Sequence, residues 1–184
     1  MTKRIIYIYL KNVDEESLVA FLSLYPAISV MSKDQNIIQL SIDEDEYINL
    51  HEMREIAIQE LYNDFTAFIT PNSQSFPIQM ILPYLEKLNK GIYVIDQFIS
   101  EIVFLKYTSL KAALKNYYLQ LVGSESIDTV LGFIKENQNA SKAAKRLFMH
   151  RNTLNYRLDH FIEKTEIDIK SFQGALAIYL LFRG

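Results

Sequence analysis

Apolar positions follow two regimes along this chain. Up to residue 95 they come as short β-branched and aromatic runs separated by helix-spaced stretches; from residue 110 onward only helical spacing remains. Residues 4–10 predict a buried first strand. Asp14 predicts the N-cap of a helix to about residue 24, with Leu18, Phe21 and Leu22 inward and Pro26 as its stop. Residues 28–31 and 37–42 predict two strands joined by the polar turn Lys33, Asp34, Gln35, Asn36. A helix over 47–63 follows, with Ile48, Ile56, Ile58 and Leu61 largely on one side, then a strand over 65–70 closed by Pro71. Residues 75–89 predict a helix with Met80, Ile81, Leu85 and Leu88 inward, Pro77 in its first turn and Pro83 at a kink; residues 91–95 return as a strand. The order strand, helix, strand, strand, helix, strand is a ferredoxin-like arrangement.

The second regime is all helical. Residues 110–121 predict a helix, and Gly123, Ser124, Glu125 and Ser126 a linker and cap. Ile127, Leu131 and Ile134 then mark the buried stripe of the next helix. Within residues 139–158, Ser141 is the expected cap of a short helix over 142–148 whose Ala144, Leu147 and Phe148 share the inward face. The small pair Ala143 and Ala144 suits a steep helix crossing, because a bulky side chain there would push two backbones apart. Met149 and His150 make a turn, and a second helix starts near Arg151 with His150 or Asn152 as cap. Leu154, Leu158, Phe161 and Ile162 fall at helical spacing and set its buried stripe, leaving Arg151, Asn152, Asn155 and Tyr156 outside. Asp159, a turn further on, is expected to face away from phosphates. Residues 172–182 are almost wholly apolar, a stripe broad enough either to close the small core or to supply part of a dimer interface.

Charge sharpens this division. Residues 1–125 hold 10 basic and 16 acidic residues, net −6, whereas residues 126–184 hold 9 and 6, net +3, so the chain total of −3 hides a basic C-terminal module. Between Ser141 and Arg157 stand Lys142, Lys145, Arg146, Arg151 and Arg157 with no acidic residue, the footprint of phosphate contact. An amphipathic helical hairpin with a solvated basic face would give the same count. A hydrophobic share of 49% allows a full core, and a charged share of 22% with mean hydropathy of +0.02 argues against a disordered or membrane protein. No apolar run reaches membrane-span length and the N-terminus leads into a strand pattern without a cleavable signal, so a cytoplasmic protein is expected. With no cysteine, thiolate chemistry is excluded, and His51, His150 and His160 are too dispersed for a ligand cluster. The run Asp43, Glu44, Asp45, Glu46 reads better as capping and dipole partners of the following helix than as a metal site. No cofactor and no metal are expected, and an enzyme is the least favoured class.

The run from Phe148 to Leu158 closely resembles the signature of the PucR-type (sugar diacid regulator-like, CdaR-type) helix-turn-helix, itself similar to the Fis-type DNA-binding helix pair. His150, Arg151, Asn152, Thr153, Leu154, Tyr156, Arg157 and Leu158 meet the fixed positions of the run that opens the family's recognition helix. Residues 127–136 resemble its lead helix. Glu166, Ile167, Asp168 and Ile169 resemble its Gly-Leu-Asp-Leu step, with Glu166 in place of the glycine. Residues 81–105 are similar to the helix-then-strand piece of PucR-type regulators, so residues 1–110 resemble a degenerate GGDEF-like domain. The hairpin position, residues 33–36, lacks the glycines that a working cyclase needs, and the resemblance thus implies no catalysis. The family's usual sensory domain is not expected upstream, since the chain opens at the first strand.

The resemblance implies an α+β protein: a ferredoxin-like, degenerate GGDEF-like α/β domain over residues 1–120, then an all-α Fis-like helix-turn-helix domain over 121–184. It implies a sequence-specific transcriptional regulator that binds double-stranded DNA as a homodimer. Arg151, Asn152, Thr153, Asn155 and Tyr156 are assigned to the groove, Lys142, Lys145, Arg146 and Arg157 to phosphates, and Ser141 and His150 to capping or backbone contact. Two other readings stay open: a protein–protein interaction module, and a sensor whose N-terminal domain binds a small-molecule effector.

Overall fold

The computed structural model describes residues 3–11, 14–34, 36–43, 48–72 and 76–183. Two compact units, Met1–Val94 and Ile95–Gly184, divide the chain.

In the first unit, β1 (Lys3–Tyr9) is central because its β-branched and aromatic run can be covered on both faces. It pairs antiparallel with β3 (Ile37–Asp43) and with β4 (Thr66–Ile69). The β2 strand (Ile28–Asp34) pairs antiparallel with β3, shifting register between Val30 and Ser32, and β5 (Gly91–Tyr93) lies parallel to β4, giving the order β2-β3-β1-β4-β5. Ile6 faces Leu40 and Ile8 faces Ile38 across the β1–β3 ladder. These four side chains share one core with Leu18 and Leu22 of α1 (Glu15–Leu22) and with Met53 and Ala57 of α2 (Leu50–Leu61). The alternate residues Tyr7 and Phe68 also pair across the sheet, and Phe68 stacks on Phe76, with 5.9 Å between ring centroids, ahead of α3 (Ile78–Leu85).

Asp14 caps α1 as expected, its carboxylate accepting from the Ser17 backbone N–H at 3.3 Å. Helix α2 differs from expectation. Asn49 caps it, so it starts at Leu50, three residues after the expected start, and its buried residues are Met53 and Ala57, while Ile56 is exposed and Ile58 and Leu61 are half-buried. The four-residue spacing of Met53 and Ala57 marks the seam, and Ile56 lies beside it. In α3, Ile81 and Leu85 are buried but Met80 is exposed; Pro83 sits in the last turn, and the helix ends two residues later. The acidic residues Glu44, Asp45 and Glu46, and Gln35 of the hairpin, lie outside the described residues.

The expected strand over 91–95 stops at Tyr93, and Ile95 opens α4 (Ile95–Phe104). Ile95, Phe98, Ile99 and Ile102 recur at three and four, which selects helix over strand once α4 packs along α9 (Phe172–Arg183). Helix α5 (Thr108–Val122) buries Leu110, Leu114 and Tyr118. Helices α4 and α5, which residues 1–120 would include, pack within the second unit. The broad apolar stripe of α9 is covered there: Ala175, Ala177, Ile178 and Leu181 are buried, while Phe172 and Tyr179 stay exposed. Gly174 is required for this fit, because a Cβ on it would lie 2.2 Å from the Asp168 carbonyl oxygen.

Candidate nucleic-acid interface

Three helices build the site: α6 (Ser124–Lys135), α7 (Ala140–Arg146) and α8 (Arg151–Thr165). Ile127, Val130, Leu131 and Phe133 give α6 its buried face, and Gly132 lets Leu147 lie against it, since a Cβ there would meet the Leu147 side chain at 3.0 Å. Ala143 and Ala144 are both buried, so α7 crosses its neighbours on its small residues.

The cap of α7 is Asn139, not Ser141. The Asn139 side-chain oxygen accepts from the Lys142 N–H at 3.1 Å, and Ser141 is an exposed second helical residue. The cause is upstream: Asn137 and Gln138 both take left-handed φ values, 53° and 58°, which turn the chain so that Asn139 enters extended, directly before the free N–H groups. A second correction concerns Phe148. Expected inward, it stands 98% exposed at φ 51°, directly after Leu147, the C-cap of α7. The turn closes through the Met149 N–H donating to Ala144 O at 3.0 Å, the bond expected after a left-handed residue. Leu147 and Met149 are each half-buried.

His150 caps α8: its Nδ1 accepts from the Asn152 N–H at 3.2 Å, and the residue is exposed. Leu154, Leu158 and Phe161 are wholly buried and Ile162 half-buried, so the opposite face is presented to solvent. Arg151, Asn152, Thr153 and Tyr156 are exposed there and Asn155 is half-buried, all within the first two turns. The Tyr156 ring lies parallel to the His160 ring at 6.2 Å, which steadies an otherwise exposed aromatic. Lys142, Lys145 and Arg146 line the exposed side of α7.

The cations differ in their commitments. Arg157 is half-buried and pairs with Glu125 of α6 at 2.7 Å, and Arg146 pairs with Glu136 at 2.6 Å. Among the described residues, Lys142, Lys145 and Arg151 have no carboxylate partner. Asp159 is paired with Lys170 at 2.5 Å, which partly offsets its charge. Helix α8 then ends at Glu166, left-handed at φ 56°, whose N–H donates to Ile162 O at 2.8 Å. The turn that a glycine would favour is thus made by a glutamate.

Sequence spacing did not disclose the partners Glu125 and Glu136, the Asn139 cap, or Gln138, whose amide bridges to the loop after α8. For Asn139 a signal existed: asparagine ranks with serine as a cap and stands three residues before Lys142. Among the described residues no group of His, Asp or Glu could hold a metal ion, and no helix is long and apolar enough to cross a membrane.

Residues 127–183 match the PucR C-terminal helix-turn-helix domain, so this region is a helix-turn-helix domain of that family. The chain is 35% identical over 139 residues to the uncharacterized protein YxkF of Bacillus subtilis (strain 168), covering 74% of this chain and 40% of that protein. It is 30% identical over 115 residues to the proline-responsive transcriptional activator PutR of the same organism, covering 62% and 26%. The chain therefore spans less than half the length of these relatives. In fold it is similar to the crystal structure of a regulator of polyketide synthase expression from Bifidobacterium adolescentis, with TM-score 0.50 at 14% identity, covering 98% of this chain and 80% of that one.

Proposed function

We propose that this chain, carrying a PucR-type helix-turn-helix, is a sequence-specific DNA-binding transcriptional regulator that inserts the N-terminal end of α8 into the major groove. One observation carries the reading: Arg151, Asn152, Thr153 and Tyr156 stand exposed on the first turns of α8, beside Lys142 and Lys145 on α7, with no acidic residue between Ser141 and Arg157. Arg151, Asn152 and Asn155 have the donor and acceptor groups that read base edges, Thr153 and Tyr156 can add apolar or hydroxyl contact, and the lysines suit phosphates. His150 is assigned to helix capping with Nε2 toward the backbone. Arg146 and Arg157 join the phosphate set from their ion pairs. Ser141, as a second helical residue, offers its hydroxyl and N–H to a phosphate.

Residues 121–184 are taken as the DNA-binding module, Fis-like in its helix pair, and residues 1–120 as a ferredoxin-like, degenerate GGDEF-like domain. The antiparallel β2-β3-β1-β4 order, with helices after β1 and β3, supports the latter. A homodimer would place two recognition helices in successive major grooves. The chain is read as non-enzymatic and without a cofactor.

The test is selection from a random duplex library with the purified chain, followed by salt titration. A palindromic site whose affinity falls steeply with salt supports a dimeric regulator. Arg151→Ala should weaken binding and relax one operator position by about 1–3 kcal/mol. No enriched duplex, or salt-indifferent binding, would sink the reading in favour of a protein-interaction module. A metabolite panel scored by thermal shift tests the effector-sensing alternative, which a flat panel would remove.

A further inference from the structure

Phe148 is a residue that neither its backbone nor the core accounts for. Its φ of 51° is a conformation that glycine adopts freely and that a side chain with a Cβ resists. Phenylalanine is normally retained against such a cost by burial, yet this ring is 98% exposed and gains nothing from the folded chain. Its neighbours Leu147 and Met149 already anchor the turn by partial burial. An exposed aromatic in a disfavoured conformation points outward to what it meets on binding.

Its position says what that is. The Phe148 N–H donates to Lys145 O at 3.3 Å, and two residues later His150 caps the helix whose first residues are Arg151, Asn152 and Thr153. Phe148 therefore lies in the turn that joins the lysine-bearing α7 to the N-terminal end of α8. Within residues 139–158 the other exposed large hydrophobic is Tyr156, already stacked on His160. A protein partner would need a contiguous apolar patch, whereas Leu147 and Met149 on either side are half-buried and the exposed residues nearest in the chain are Lys145, Arg146, His150, Arg151 and Asn152. DNA offers the matching surface, isolated apolar spots set among phosphates: thymine methyl groups and the faces of deoxyribose.

We infer that the Phe148 ring is a DNA-contacting group that lies against thymine methyl or deoxyribose at the lip of the groove entered by α8. The inference rests on the DNA-binding reading and adds an apolar contact to its polar ones. The side chain is then kept for affinity at the expense of the turn.

The experiment measures binding by fluorescence anisotropy to a duplex selected by the wild-type chain, across a salt series, for wild type, Phe148→Ala, Phe148→Gly, Phe148→Leu and Lys145→Ala. Phe148→Ala and Phe148→Gly should each bind about five- to twentyfold more weakly, from loss of half or more of a buried aromatic side chain. Their slope of log affinity against log salt should match wild type, because no counterion is involved; Lys145→Ala should lower the slope by about 1. Phe148→Leu should retain most of the affinity. Phe148→Gly, which relieves the left-handed backbone, should also unfold at no lower a temperature than wild type, so its weaker binding cannot be a folding defect. Replacing thymines by deoxyuridine in the duplex separates the two sources: a methyl contact makes wild type lose affinity while Phe148→Gly is indifferent, and a deoxyribose contact leaves both unaffected. Wild-type affinity in Phe148→Ala and Phe148→Gly, with Arg151→Ala impaired, would overturn the inference and leave the DNA-binding reading intact; if transcription then still fell, the ring would belong to a protein contact. Failure of wild type to bind any duplex would remove both.

Discussion

The side-chain amide of Gln138 donates to the carbonyl oxygen of Ile169 at 3.0 Å, and the same nitrogen reaches the Ser171 carbonyl at 3.1 Å. The loop before α7 is thereby tied to the loop after α8, and the helix pair is clasped at the end away from Arg151. Gln138→Ala should destabilise the chain by about 1–3 kcal/mol, because two carbonyls lose a partner in a part-buried place. Since Gln138 is also left-handed, Gln138→Gly separates the two effects: it relieves the backbone and still loses the clasp. Urea denaturation of both variants checks this; a wild-type midpoint for Gln138→Ala together with a raised midpoint for Gln138→Gly would show that the clasp contributes nothing.

Glu166 ends α8 at φ 56°, where a side chain is disfavoured. Glu166→Gly should therefore stabilise by up to about 1 kcal/mol, the relief of a left-handed residue less the entropy returned to the unfolded chain. The measurement is the shift of the thermal midpoint. A lower midpoint would mean that the glutamate side chain contributes more than its backbone costs.

Arg157 and Glu125 form an ion pair that competes with any phosphate for the guanidinium. Glu125 is largely exposed, so breaking the pair should cost less than about 1 kcal/mol of stability. Glu125→Gln should raise DNA affinity about two- to fivefold at low salt by releasing Arg157. Unchanged affinity in Glu125→Gln, alongside unchanged affinity in Arg157→Ala, would take Arg157 out of the interface.

Tyr118 is buried on α5, and among the described residues no group hydrogen-bonds its hydroxyl. Burial, helped by the charges of Tyr117, Glu166 and Asp96, pushes the phenol well above its ordinary 10.0. The unfolded chain therefore loses this proton first. Stability from the neutral phenol is complete below pH 10 and falls as pH rises beyond it. Tyr118→Phe should be neutral or stabilising by up to about 1 kcal/mol and should flatten the alkaline limb of stability against pH. A marked destabilisation would mean that the hydroxyl is satisfied after all.

Much of the molecule is legible in spacing. The strands containing Ile6, Ile8, Ile38 and Leu40, the buried stripe Leu154, Leu158 and Phe161, and the exposure of Arg151, Asn152 and Tyr156 all follow from local periodicity. Amphipathic period is a property of a few consecutive residues, and burial respects it wherever one side of an element is covered. The His150 cap is local in the same way, since donor and acceptor lie two residues apart.

What spacing could not decide depended on contacts between distant segments. Residues 95–104 become α4 because α9 packs along them, and a helix brings Ile95, Phe98, Ile99 and Ile102 onto a buried face. Asn139 caps in place of Ser141 because two left-handed residues re-aim the chain, and Phe148 turns outward because the α7–α8 turn needs a left-handed residue at its position. Arg157 finds Glu125 only when α6 and α8 come together. Which residues can be helix, strand, stripe or exposed cation is set locally, since those are choices made by neighbours in the chain. Tertiary structure decided which cap, which ring and which ion pair prevail, because those energies exist only after separate elements have met.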